Sequence, residues 1–145
     1  GWAYRLPTDA EGEYACRAGA DSPFAFGAQV VDKQAVFRYD PNDPLGIGDE
    51  LNRPPQFPQE VGKTEANRFG LHDLHGNVAE WCSDWYKPGY PGDGPRDNPT
   101  GPADGDKRVV RGGSFKDTAA ATRSAARGAA RSADRREDTG FRVVY

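Results

Sequence analysis

From Val78 the chain alternates strictly. Val78, Glu80, Cys82 and Asp84 point one way, and Ala79, Trp81, Ser83 and Trp85 the other. A period of two predicts a strand, and two tryptophans on one face are a large apolar payload. RVVRGGSF, from Arg108, reads as a second strand running into a glycine turn, and RSAAR at 123–127 as a short one. GFRVVY (140–145) closes the chain as a strand, with Phe141 and Val143 on one face and Arg142 and Val144 on the other.

Residues 5–19, RLPTDAEGEYACRAG, carry the helical pattern. Pro7 ends the extended segment before it. Thr8 is the natural N-cap, and Glu11, three residues on, completes a capping box. Asp9 and Glu11 suit the positive end of the helix dipole. Ala10, Tyr14 and Ala18 are expected on one face, and Gly19 stops the helix. Gly12, inside it, costs ~1 kcal/mol relative to alanine, and leaves room for a neighbour to pack close.

The rest is irregular. Between 20 and 68 only AVFRY (35–39) suggests a short strand, and prolines at 23, 41, 44, 54, 55 and 58 oppose regular structure. A loop this long inside one domain is usually functional or pinned by an ion. Residues 87–106 are turn chemistry throughout. Asp93, Asp97, Asp104 and Asp106 within them lack EF-hand spacing, so no ion is assigned there.

Composition fits this picture. The 145 residues suffice for one domain with a proper core, yet only 36% are hydrophobic, against 18 Gly, 12 Pro and 16 aromatics. Such a chain leans on aromatic anchors in place of long aliphatic helices. No apolar run approaches the ~20 residues of a membrane span, and no signal peptide is visible. The absence of methionine marks the sequence as a piece of something longer.

Charge is divided along the chain. Residues 1–106 hold 9 Lys/Arg against 18 Asp/Glu, whereas residues 107–145 hold 10 against 4. The arginines at 123, 127, 131 and 135 resemble a basic nucleic-acid helix in spacing only, because glycine and small residues break any helix there. Pairing between the basic end and the acidic beginning of one fold is the expected use, and no nucleic-acid partner is expected. Cys16 and Cys82 allow one disulfide or two buried free thiols, and the sequence leaves both open. His72 and His75 have no third partner in zinc geometry.

Three blocks occur in order: Arg5-Leu6-Pro7-Thr8…Glu13-Tyr14-Ala15, then Gly70-Leu71…Asp73…His75-Gly76-Asn77-Val78…Glu80-Trp81, then Arg111-Gly112-Gly113-Ser114…Arg123-Ser124-Ala125…Arg127…Gly140-Phe141-Arg142. Together they resemble the formylglycine-generating enzyme (sulfatase-modifying factor) family, a variant of the C-type lectin fold. The resemblance runs from about residue 4 to the C-terminus and lacks the family's N-terminal portion. It implies an irregular α+β domain with structural Ca2+. The ligands would be side chains at the positions of Asp73 and Glu80 and carbonyls at those of Gly76 and Val78. Two carboxylates and turn carbonyls are the hard oxygens that such a cation takes. The family's other calcium site expects Asn where AVFRY has Val36 or Phe37.

Enzymes of this family oxidise a target cysteine to formylglycine with copper held by two cysteines. Counted from the Gly-Gly-Ser turn, those positions are Asp117 and Thr122, a carboxylate and a hydroxyl without thiol chemistry. No copper and no catalytic residue are therefore expected. The expectation is a non-catalytic binding or scaffolding domain outside the cytoplasm, a subunit or accessory part of something larger. It would present Phe115, Lys116, Asp117, Thr118, Arg123, Arg127 and Arg131 to a protein partner or to a further segment of the same precursor. Two alternatives are carried: an enzyme, of formylglycine-generating or iron-dependent sulfoxide-synthase type, whose catalytic groups lie outside this chain, and a retroelement-type variable receptor.

Overall fold

The computed structural model describes residues 3–48, 55–89 and 97–145. Asp93, one of the loop carboxylates considered above, lies outside them.

Local chemistry builds the one α-helix among these residues, α1 (Asp9–Arg17). Thr8 accepts the Glu11 amide and Glu11 reaches back to the Thr8 amide, so the capping box forms in full. Ala18 takes the left-handed C-cap conformation, with its N–H on the Tyr14 carbonyl, and Gly19 follows at φ 85°. The inward face differs from the expected one: Asp9 and Cys16 are buried, whereas Tyr14 is 69% exposed and lies against Phe69. Charge pairing overrode apolar periodicity here, because Asp9 and Glu13 both meet Arg111. Gly12 allows that approach, since a Cβ there would stand 3.1 Å from Arg111 Cδ.

Two short strands, β1 (Val30–Val31) and β2 (Gly46–Ile47), pair in parallel. The main sheet has four strands in the order β5-β4-β3-β6. These are β3 (Ala79–Trp85), β4 (Arg108–Arg111), β5 (Arg127–Ala130) and β6 (Thr139–Gly140). β3 pairs antiparallel with β4 and parallel with β6, and β4 pairs antiparallel with β5.

The period of β3 is as read, and each of its faces has buried members, Ala79 on the tryptophan side among them. Cys82 and Asp84 are buried, while Trp81 and Trp85 are half-buried. Asp84 goes inside because its carboxylate accepts the Asp9 amide at the start of α1. Trp85 instead lies under Arg108, 3.4 Å from guanidinium carbon to ring centre. RSAAR is not a strand, for β5 begins at its last residue, Arg127. AVFRY makes only one isolated bridge, Val36 to Gly76, while Ala35 and Phe37 enter a core cluster with Phe24, Val30 and Ala119. Past Gly140 the closing strand reduces to a bridge between Val144 and Arg5. Its faces hold: Phe141, Val143 and Tyr145 are exposed, and Arg142 and Val144 half-buried. This is a mixed α+β architecture with little regular structure. Among the described residues no helix is long and apolar enough to cross a membrane.

Candidate functional site

Gly76 and Asn77 are the hub that brings the distant segments together. The Gly76 N–H donates to the Gly112 carbonyl and the Asn77 N–H to that of Val36, while the Asn77 carbonyl accepts from Phe115. A Cβ at Gly76 would stand 2.1 Å from the Val36 oxygen, so only glycine fits. The Asn77 side chain, 2% exposed, closes a two-way pair with the Gln59 backbone. His75, next to the turn, is a core histidine: its Nδ1 donates to the Thr122 carbonyl at 2.8 Å and Nε2 accepts the Ala25 amide at 3.2 Å. Burial pushes its pKa down. His72 donates separately to the Thr64 carbonyl.

The residues expected to hold calcium surround this turn. Asp73, at φ 59°, accepts from the Gly62 amide and from Thr64 Oγ1, 2.5 and 2.7 Å away. Glu80 is gripped by Arg142 through Nε and a terminal nitrogen at 2.9–3.2 Å, and Arg142 also donates to the His72 carbonyl. Gly76 and Val78 bracket the hub between these carboxylates. The donors are all oxygen, as a hard dication needs; both Asp73 oxygens and Glu80 Oε2 keep a lone pair beyond the contacts named, whereas Glu80 Oε1 accepts twice from Arg142. Arg142, however, already supplies a positive charge at Glu80. Among the described residues no group of three His, Cys, Asp or Glu side chains is placed to hold a metal, so any ion here depends on backbone carbonyls.

The positions matching the family's catalytic cysteines are tied up internally. Asp117 accepts from the Ser114 amide and hydroxyl at 2.9 and 2.8 Å. Thr122 is fully buried at the end of a 3₁₀ turn (Ala119–Thr122) and donates to the Ala119 carbonyl. Both thiols are free and buried, and burial pushes Cys16 up to about 11 and Cys82 up to about 12. Cys16 packs against His75, Ser124 Oγ and the Leu74 carbonyl.

The surface expected to meet a partner is brought together only in part. Phe115 is 2% exposed and belongs to the interior, where its amide closes the hub. Arg127 turns inward, donating to Asp9 at 2.7 Å and to the carbonyls of Lys87 and Gly89. Lys116 is exposed and paired with Glu137, and Asp117 and Thr118 are half-buried. Arg123 and Arg131 remain outward. Beside Arg123 lies a cavity of about 520 Å³ whose lining includes Ala79, Val110, Gly128, Asp117, Arg123 and Arg136. Arg136, absent from the expected set, is held by a two-bond pair with Asp138. An arginine two residues before an aspartate was the only signal for it.

The arginine-pinned helix, the glycine–asparagine hub and the Gly-Gly-Ser turn define one class, the sulfatase-modifying factor domains. The chain belongs to that family: the model of the "Sulfatase-modifying factor enzyme 1-like domain" matches residues 2–145. It is 38% identical over 124 residues to a formylglycine-generating enzyme of Streptomyces coelicolor, covering 79% of this chain and 37% of that protein. With the serine/threonine-protein kinase pkn1 of Chlamydia caviae it shares 35% identity over 115 residues, 77% of this chain and 16% of the kinase. The solved structure of Treponema denticola variable protein 1 superposes with a TM-score of 0.78 at 32% identity, covering 97% of this chain and 46% of that one. The chain thus spans half or less of each of these relatives.

Proposed function

We propose that this chain is a binding or scaffolding domain of the sulfatase-modifying factor family that does not itself oxidise cysteine, built on that family's variant of the C-type lectin fold. One observation carries the reading: Asp117 and Thr122 stand where the family's copper ligands are expected, and both side chains are spent on internal hydrogen bonds. Neither offers the soft sulfur that Cu(I) needs, and the buried Cys16 and Cys82 are poor thiolate sources at neutral pH. The test is to load the protein with copper and incubate it with a sulfatase-derived cysteine peptide. Unchanged peptide mass is expected; a formylglycine product overturns the reading.

A partner, or a further segment of the same precursor, has a surface to meet. Tyr4, Phe141, Val143 and Tyr145 are 49–77% exposed near the Arg5–Val144 bridge, with the Tyr4 and Tyr145 rings in edge contact. The likeness to part of a serine/threonine-protein kinase supports such an accessory role, and with it the second reading, in which catalytic groups sit elsewhere in a larger protein. The likeness to a variable protein supports a ligand-binding use of the 114–138 region. We further propose a location outside the cytoplasm and a Ca2+ ion held by Asp73, Glu80 and the carbonyls of Gly76 and Val78. Arg142 on Glu80 makes that ion a modest contributor.

A further inference from the structure

The binding reading leaves open what the 114–138 region would bind, and the walls of its cavity carry that question further. Val110 and Gly128 are register partners on adjacent strands, and Ala79 joins Val110 in the small apolar cluster behind them. Gly128 keeps the base low, since a Cβ there would come within 2.9 Å of Val110 Cγ2. Ala121 and Ala126 continue the lining with short side chains. A volume of about 520 Å³ lies inside the ~300–1,000 Å³ range of ligand sites. Its small lining residues therefore leave room for a chain-like group to lie close over Val110 and Gly128.

The charges around this space are unequal. Among the described residues Asp117 is the lone carboxylate of the lining, and the Ser114 amide and hydroxyl already occupy it. Four arginines line the same cavity, Arg111, Arg123, Arg127 and Arg136. Arg111 and Arg127 are neutralised from behind by Asp9, and Arg136 by Asp138. Arg123 differs: it is exposed, its Nε is fixed on the Ala120 carbonyl at 2.7 Å, and among the described residues it closes no ion pair within 4 Å, its charge acting from further off on Asp43, whose pKa it helps to lower. A guanidinium oriented through Nε keeps its outer nitrogens for a planar acceptor, the geometry that carboxylates match.

Resting on the binding reading above, we propose that this cavity takes an acidic peptide segment, with short side chains over Ala79, Val110 and Gly128 and a carboxylate on Arg123. Charge complementarity selects this occupant. Most of the cavity's lining belongs to the basic end of the chain, and Asp9, Glu13 and Glu80 of the acidic first part are turned inward on Arg111, Arg127 and Arg142.

The probe is a fluorescein-labelled (Ala-Glu)5 peptide, compared with (Ala-Lys)5 by fluorescence anisotropy on the full chain. The acidic peptide should bind and the basic one should not, with affinity falling as salt rises. Arg123→Glu should weaken binding at least about tenfold, a change of ~1.4 kcal/mol, while keeping the wild-type Tm. Gly128→Val, which raises the base, should weaken it comparably. Arg135→Glu removes an equally exposed arginine that does not line the cavity and should change affinity less than about threefold. Equal binding of both peptides, no binding of either, or equal losses in Arg123→Glu and Arg135→Glu would each overturn the proposal. None of these would restore cysteine oxidation, so the non-catalytic reading stands or falls by its own assay.

Discussion

The two faces of the four-stranded sheet use the same strands for opposite purposes. On one, Arg111 and Arg127, register partners on β4 and β5, clasp Asp9 of α1, while Asp84 of β3 holds the helix's first amide. On the other, Val110, Gly128 and Ala79 help to line a cavity that Arg111 and Arg127 also border. The first face has its ions enclosed and mutually paired, so it fixes helix against sheet. The second has small residues and, in Arg123, an exposed arginine that closes no ion pair within 4 Å among the described residues, so its charge can be changed at less cost to the fold. A buried pair is costly to break and an exposed charge cheap to change, and that asymmetry separates scaffold from binding surface.

The largest expected effect breaks the clasp. Arg111→Ala leaves Asp9 to Arg127 and Glu13 to Arg17, and should cost about 3 kcal/mol in urea denaturation, the low end for breaking a buried pair. Arg123→Glu on the opposite face should cost less than ~0.5 kcal/mol. Similar losses in the two variants would erase the contrast. Thr8→Ala removes the side-chain half of the capping box and should cost about 1 kcal/mol.

Acid sharpens the comparison, because two carboxylates near the start of α1 shift oppositely. Hydrogen bonding to Arg5 holds Glu11 at about 2, so its contribution is complete above the ordinary carboxylate range and is lost as pH falls toward 2. Asp84 is pushed up by burial, so the folded state takes up its proton more readily than the unfolded chain. Its penalty is full above its folded pKa and is relieved as pH falls through that value toward the ordinary range. Asp84→Asn should therefore remove a stabilising trend on mild acidification, and Glu11→Gln should flatten the loss at lower pH. Tm profiles of both variants from pH 7 to 2.5 check the signs.

The smallest effect concerns calcium. If the ion is held as proposed, EDTA lowers Tm by no more than about 3 °C, because Arg142 already balances Glu80. An unchanged Tm removes the ion from the account.

How much was legible follows the range of the interactions. Thr8 and Glu11, Gly19, and the alternation from Val78 could be read because each involves contacts a few residues apart. Phe115, Tyr14 and Arg127 could not, since composition does not say which side chain finds a partner far along the chain. Asp9 meets Arg127 across 118 residues, and that contact turned an arginine from the surface inward and a tyrosine from the core outward.

By itself the sequence determined the family, the capped helix, the glycine-bound turns and the lack of cysteine at positions 117 and 122, all properties of residue type and near spacing. Only the tertiary structure decided which arginines are spent internally and which remain at the cavity, because electrostatic pairing depends on distance in space, and one network of buried carboxylates drew in Arg111 and Arg127 and left Arg123 outside.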